Sequence, residues 1–483
     1  MSGIVGTFHA NQHIPLDQLI APIEHRGTSR VTAWNNQFAA FAGIGITELA
    51  EHPGPITTAD DGCALIWDGR LHAENSPTDA ASQTQRLLED YQDVGADLFQ
   101  HIQGEFAMAI IDGDTLLLAR DRLGIRPLYY GFTGKTLLFA SEMKALAPWV
   151  ERIFELPPDG YLHSKHGFIP YPHHAPEKAQ ALNPEASSSQ LGEALEKAVA
   201  DCLYEGVDTG VWLSGGVDSS VIAALAKEHT STLHTFSAGL EGAPDLEYAA
   251  LVADYLGCDH HERKYNQEEA VNILEDVIFH LESYDAPLVR SAIGNFLVSE
   301  LAADHVPYVL SGEGGDELLA GYAYQREFNN DLELTLSVQE ALSSLHNTAL
   351  QRVDRSASAH QTRAELPFLR ADMIETALSI PSRWKIYGPD PIEKWPLRHA
   401  LADRLPDEVI WRKKAKFWEG AGAEHLLSEY AQQSISDEEF LQERIPAAGG
   451  PLQNKEAVLY YQIFRGLFGE RVAEENVGRT RHI

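Results

Sequence analysis

Val211-Trp212-Leu213-Ser214-Gly215-Gly216-Val217-Asp218-Ser219-Ser220 is the stretch from which the rest of this chain is read. An apolar run over residues 211–213 stops in a small polar loop, and apolar positions then recur at helical spacing over 217–226. This predicts a strand, a tight glycine turn and a helix. Gly215 and Gly216 let the backbone turn sharply and leave no side chain above the loop. Backbone N–H groups and the hydroxyls of Ser214, Ser219 and Ser220 then meet at a helix N-terminus, where unpaired donors and the helix dipole favour phosphate. Asp218 has the wrong charge to hold phosphate directly but is a suitable ligand for a Mg2+ ion that bridges phosphates. Two glycines in a turn are common, so a plain strand-to-helix turn is the competing explanation. No G-K-[S/T] follows, which excludes a Walker loop.

Composition bounds the setting. A chain of 483 residues holds two or three domains. Net charge is −34, from 71 acidic against 37 basic residues, which argues against a nucleic-acid partner because phosphate neutralisation needs Lys and Arg. Cys63, Cys202 and Cys258 have no metal-binding spacing and form no disulfide framework, so a reducing, cytoplasmic setting is expected. No apolar run reaches transmembrane length and no signal-like start is seen, so no membrane partner is expected.

Residues 1–165 read as β-rich. Residues 63–67 are a buried-strand pattern, 106–111 and 115–119 a hairpin across Asp112-Gly113-Asp114, and 129–131 with 137–140 another. Helical stretches at 17–23 and 83–91 lie between them, which suggests sheets covered by helices. Prolines and serines make 166–188 a linker. From 190 onward strands and helices alternate: a helix at 190–203, the strand and loop above, a strand at 233–239, helices at 245–256, 267–281 and 292–303, and a strand at 306–310 running into Ser311-Gly312-Glu313-Gly314-Gly315-Asp316-Glu317. Such alternation implies a parallel sheet with the site at the carboxyl ends of its strands. There the turns 214–220, 237–239 and 311–317 form a nucleotide site. In it Asp218 and Asp316 can share one Mg2+ over a departing pyrophosphate.

Two resemblances sharpen this. The S-G-G-V-D-S-S string resembles the pyrophosphate loop of ATP-pyrophosphatase enzymes, which split ATP between its α- and β-phosphates and adenylate a substrate. The start Met1-Ser2-Gly3-Ile4-Val5-Gly6, His25-Arg26-Gly27, Gly104-Glu105-Phe106-Ala107, the run from Arg120-Asp121-Arg122 to Tyr129-Tyr130, and Ala140-Ser141-Glu142-Met143-Lys144 resemble the glutaminase domain of glutamine-dependent asparagine synthetases. The resemblance implies an α/β protein in three parts. An N-terminal-nucleophile-type, glutaminase-like αββα domain spans 1–165, a linker 166–188, and an ATP-pyrophosphatase (adenine nucleotide α-hydrolase-like) parallel-sheet synthetase domain 189–483.

Carried over residue by residue, the family pattern makes S-G-E-G-G-D-E a second signature, with Asp218 and Asp316 as Mg2+–pyrophosphate ligands. The main chain near Leu213, Ala238 and Gly312 matches positions that hold adenosine, and Lys455 matches a lysine that stabilises the adenylation transition state. Arg290 matches an arginine tied to binding the substrate carboxylate, for which its fork is suited. Glu313 is a candidate for the substrate amino group or for managing a proton. Lys394, Lys413, Lys414 and Lys416 form a basic cluster that faces either phosphates or the acidic surface.

The chain also departs from the pattern. The family's nucleophilic cysteine is Ser2, and a serine needs activation that a thiol scarcely requires. The glutamine-gripping N-G-E reads Asp68-Gly69-Arg70, no arginine stands at 43–46, and the family's later aspartate is replaced within Ser82-Gln83-Thr84-Gln85. Several changes at one site mark a lost glutaminase site, with the domain retained for folding or for the contacts of a homodimer. The family's E-x-R-x-P-F-L reads Arg363-Ala364-Glu365-Leu366-Pro367-Phe368-Leu369, charges exchanged, and Leu288 stands in a threonine's place. The function expected is ATP- and Mg2+-dependent adenylation of a carboxylate, aspartate or a related acid. Pyrophosphate is released and the acyl group passes to ammonia or another amine, without glutamine. The alternatives are intramolecular amide closure of the β-lactam-synthetase kind, against which Arg363 counts, and a non-catalytic nucleotide-binding scaffold.

Overall fold

Strict alternation in the first 170 residues sorts side chains onto two faces of each strand, and that sorting makes layers. The computed structural model describes residues 2–9, 14–49, 57–58, 62–72, 80–172, 183–328, 330–388, 390–412, 426–445, 450–469 and 477–478. Twelve strands among these residues precede 171: β1 Gly3–Phe8, β2 Thr32–Asn35, β3 Ala39–Ile44, β4 Thr57–Thr58, β5 Ala64–Leu71, β6 Gly104–Asp112, β7 Thr115–Arg120, β8 Tyr129–Thr133, β9 Thr136–Ala140, β10 Ile153–Glu155, β11 Gly160–His163 and β12 Gly167–Pro170. They form two antiparallel sheets, β10-β8-β9-β1-β3-β2 and β12-β11-β7-β6-β5-β4. Ile4, Phe41 and Phe139 of the first meet Ile66, Ala109 and Leu118 of the second in one core. The neighbours Val5, Ala42 and Leu138 face the other way, under Leu19 and Ile20. On the far side Leu65 and Met108 pack beneath Leu87 and Leu88. The order of layers is helix, sheet, sheet, helix.

The second half holds a five-stranded parallel sheet. Its strands are β13 Thr209–Trp212, β14 Leu233–Leu240, β15 Asp259–Tyr265, β16 Tyr308–Leu310 and β17 Arg363–Glu365, in the order β15-β14-β13-β16-β17. The order reverses between β13 and β16, which opens a crevice at their carboxyl ends. The helix Pro184–Cys202, capped by the Asn183 side chain on Ala186 N, leads into β13. The helix Val217–His229 returns from β13 to β14, and its small residues Ala223, Ala224 and Ala226 let the stretch from Ser219 to Ala226 sit inside the core. One helix expected at 267–281 is two, Gln267–Asn272 and Leu274–Leu281, because the chain bends at Ile273. The expected helix at 17–23 is a five-residue α-turn, Leu16–Ile20, that tightens into a 3-10 segment at Ala21, where Pro22 follows and removes a backbone donor. No helix among the described residues is long and apolar enough to cross a membrane.

Candidate active site

The opening loop folds as its residues dictate. Gly215 has φ +71°, and a Cβ there would lie 2.6 Å from the Tyr248 Cβ and 2.7 Å from the Ala249 backbone nitrogen, so only glycine is accommodated. Ser219 gathers the turn: its Oγ accepts from Ser214 N at 3.1 Å, lies 3.0 Å from Ser214 Oγ and donates to Gly216 O at 3.2 Å. Ser220 Oγ is buried and has no hydrogen-bond partner among the described residues. Gly216 is the helix N-cap and uses no side chain for it, so the first-turn N–H groups of Val217–His229 face the loop. Arg412 braces the turn from outside, donating to Gly215 O at 3.2 Å and to Asp245 at 2.8 Å while lying 3.8 Å over the Tyr248 ring.

Strand register brings the other two stretches alongside, although 237–239, read from the sequence as a turn, is strand: it lies inside β14 and pairs with Glu262, Arg263 and Lys264 of β15. Trp212 pairs with Phe236, and Val211 pairs with Leu310. Counting onward, Leu213, the Ser237–Ala238 pair and Gly312 stand abreast at the carboxyl edge. Leu213 N donates to Phe236 O at 2.8 Å there. The three positions expected to hold adenosine are thus one continuous ledge.

Asp218 and Asp316 converge. Both carboxylates bond the Lys394 ammonium, which is 3% exposed. Lys394 takes the left-handed backbone region, φ +57°, just before the helix Trp395–Ala400. Burial works to lower the lysine's pKa, but Asp218 and Asp316 outweigh it and hold the ammonium above its ordinary value. The same loop carries more acid. Burial, then Glu313 and Asp316, push Glu317 up to about 7, and Tyr322 donates its hydroxyl to it. Lys394 is the cation that both aspartates share, and Glu317 lies beside Asp316. Of the basic cluster noted in the sequence, Lys394 faces this site, and Lys413, Lys414 and Lys416 lie outside the described residues.

The remaining expected residues occupy a second locus. Arg290 makes a two-pronged bond to Glu456, with Nε to Oε1 at 2.6 Å, and Glu456 also accepts from Tyr460 at 2.7 Å. Lys455, one residue before Glu456 at the start of the helix Lys455–Phe468, pairs with Asp437 at 2.7 Å. Glu313 is bonded by Arg352. Lys394, Arg412, Arg352 and Glu456 are functional neighbours that motif reading passed over or left undecided. A lysine just before a helix-opening Trp395-Pro396 pair was the available signal for the first.

The Ser2 locus has a different character. Ser2 is 5% exposed, and its hydroxyl donates to Asp68 Oδ1 at 2.5 Å. Arg26, fully buried, donates to Ser2 O at 2.8 Å, to Glu142 at 2.7 Å and to both oxygens of Asp354, and lies 3.5 Å from Asp68. Burial opposes ionisation of Glu142, yet Lys144, His25 and Arg355 hold its carboxyl well below the ordinary range. Two polar residues in the stretch 82–85 have structural partners: Thr84 accepts from the Trp67 indole at 2.8 Å and Gln83 from Leu71 N at 3.2 Å.

The sequence's two charge departures turn out to be one. Arg70, third in D-G-R, reaches across the wall between the halves to Glu365, third in R-A-E, at 3.5 Å. It also donates to Asp201 O at 2.9 Å and lies 4.3 Å over the Tyr204 ring. Glu365 accepts from Tyr204 at 2.7 Å and Arg363 at 2.6 Å, and Arg363 bonds Glu105 of the first half at 2.7 Å. Arg363 is fully buried in this wall.

Comparison with known proteins agrees with this geometry. The profile of the Asparagine synthase family matches residues 190–342 and 326–482, and that of the Glutamine amidotransferase domain matches 1–190. The glutamine-hydrolysing asparagine synthetase B of Escherichia coli (strain K12) is 33% identical over 479 residues, 92% of this chain and 86% of that protein. The glutamine-hydrolysing asparagine synthetase of Zea mays is 34% identical over 493 residues, 95% of this chain and 84% of that protein. Asparagine synthetase 2 of Arabidopsis thaliana, also glutamine-hydrolysing by name, is 31% identical over 493 residues, 95% and 85% respectively. The chain belongs to the asparagine synthetase family of ATP-dependent carbon–nitrogen ligases.

Proposed function

We propose that this protein forms an amide from a carboxylate, aspartate or a related acid, and a nitrogen nucleophile that does not come from glutamine at Ser2. The observation that carries the reading is the contrast between the two loci. The turns after β13 and β16 and the carboxyl end of β14 stand abreast at one edge of the sheet. At Ser2, Asp68, Arg26 and Thr84 are each engaged by other groups of the protein.

The chemistry follows from the residues. The N–H groups of the Ser214–Gly216 turn and the first turn of the helix Val217–His229 suit phosphate oxygens. Asp218 and Asp316 point at one cation position, and glycine at 321 keeps that position open, since a Cβ there would fall 2.0 Å from Asp316 Oδ1 and 2.3 Å from Lys394 Cε. These groups fit Mg2+, which would neutralise charge growing on the departing pyrophosphate. Lys394, released from the two carboxylates, is placed to hold a phosphate oxygen. Arg290 offers the fork for the substrate carboxylate once Glu456 yields it, and Lys455 lies beside it.

At Ser2, Asp68 accepts the hydroxyl's hydrogen bond and is itself buried beside the Arg26 guanidinium, so both groups are held within the protein. The test is product formation by the full chain with glutamine in ammonia-free buffer against ammonium salts. Product with ammonium and none with glutamine is expected; equal product from glutamine alone would overturn the reading. Carboxylate-dependent exchange of labelled pyrophosphate into ATP, over a panel of amino acids, then names the acid.

A further inference from the structure

At the amino end of the parallel sheet, away from the nucleotide crevice, three histidines from three segments meet. His234 lies near the start of β14, His261 within β15, and His305 in the turn that leads into β16. Each offers one ring nitrogen, and the three nitrogens lie within 4.8 Å of one another. His234 stands four residues before Ala238, about 13 Å along an extended strand, so this is not the nucleotide site. The group sits on one face: Phe236 pairs in register with His261, the His234 ring stacks on Phe236, and the His305 ring centroid is 3.9 Å from that of His261.

The distances are informative. His234 Nδ1 is 3.3 Å from His261 Nε2, and Asp259 Oδ2 is 3.3 Å from the first and 3.5 Å from the second. In a tetrahedral site with metal–ligand bonds near 2.0–2.1 Å, neighbouring donor atoms are about 3.3 Å apart. Two imidazole nitrogens and a carboxylate oxygen already stand at that spacing, and His305 brings a third ring nitrogen within 4.8 Å of the other two. His260, between them in sequence, faces the opposite way, with its nitrogens at the Thr235 and Ser237 hydroxyls. The rings are available: His234 and His261 are 16% and 20% exposed, and His305 is exposed.

We propose that His234, His261 and His305, with Asp259, form a binding site for a tetrahedral divalent transition ion of the Zn2+ class. Three nitrogens and one oxygen suit such an ion and not Mg2+, which takes oxygen in octahedral geometry. Bound there, the ion ties β14, β15 and the entry to β16 together at the edge opposite the nucleotide site.

The test uses the full chain, freed of metal by chelator and dialysed into saturating Mg2+ so that the carboxylates of the nucleotide crevice are occupied. Co2+ is titrated as a spectroscopic probe. One equivalent of Co2+ per chain with the intense visible absorption of tetrahedral cobalt, displaced by Zn2+, is expected, together with a higher melting temperature. His305→Ala, at an exposed turn, should fold normally and bind Co2+ at least about tenfold more weakly, and His261→Gln should remove the tetrahedral spectrum. An octahedral spectrum, no saturable binding, or an isotherm unchanged in His305→Ala would each overturn the proposal.

Discussion

Two buried polar clusters in this molecule look alike by charge and differ in what they leave undone. Around Ser2, Arg26 bonds Glu142 and Asp354 and lies beside Asp68, and each of these is nearly or wholly sealed from water. At the carboxyl edge of the parallel sheet, Asp218 and Asp316 share one ammonium, and further carboxylates crowd the same loop. The first cluster has its charges matched inside the protein. The second carries surplus negative charge, and its helix N-terminus has donors aimed outward. A site built for a ligand is one the protein leaves incomplete, and our proposal rests on that difference between the two clusters.

The largest expected effect comes from damaging the incomplete site. Asp218→Ala should reduce ATP–pyrophosphate exchange by at least about 10³-fold and Lys394→Met by about 10²-fold, since each removes a charge aimed at the reacting phosphates. Both should leave the far-ultraviolet circular dichroism unchanged. Exchange that survives Asp218→Ala would favour a scaffold over an enzyme.

Next in size is damage to the complete cluster. Arg26→Ala removes the cation shared by Asp68, Glu142 and Asp354, leaving Glu142 to Lys144 and Asp354 to Arg355, and should cost about 3–5 kcal/mol in urea unfolding. A much smaller loss would mean that water reaches this cluster and that the comparison is drawn too sharply.

A pH series sharpens the contrast further. Burial lowers Lys385 to about 7, and its amine donates to Leu318 O at 2.7 Å, at the end of the turn that carries Asp316. The unfolded lysine titrates near 10.5, so between the two values the unfolded chain binds the extra proton, and stability falls as pH drops from about 10.5 toward 7. Lys385→Met should therefore be more stable than the parent at pH 7, by about 3 kcal/mol at most once the lost hydrogen bond is deducted. The advantage should vanish near pH 10.5. Melting temperatures across that range would show it, and a constant difference would refute it.

Ser2→Ala should change least: ammonia-dependent product formation should stay within about twofold of the parent, because a residue outside the reaction contributes no transition-state binding. A larger fall in that assay would return Ser2 to the chemistry.

Much of this was legible in the residues. The loop 214–220 and the run 311–317 could be placed at strand ends because glycine turns and helix starts are local, and local conformational cost dictates them. The strands over 106–111, 115–119 and 233–239 were legible as short apolar or β-like runs, the first two flanking the Asp112-Gly113-Asp114 turn. The break at Ile273 was not legible, because a continuous apolar period across residues 267–281 hides a change of direction that packing imposes. Nor was the partner of Arg70. Its charge looked like damage to a glutamine pocket until Glu365, 295 positions away in the chain, appeared opposite it.

The sequence alone determined the two nucleotide turns, the family resemblance and the unusual residue at 2, because each is a matter of identity and short spacing. Tertiary structure alone decided which charges are satisfied. Lys394 meets Asp218 across 176 positions, and Arg26 meets Asp354 across 328. Coulombic pairing depends on distance in space and on exclusion of water, and neither is a property of neighbours along the chain.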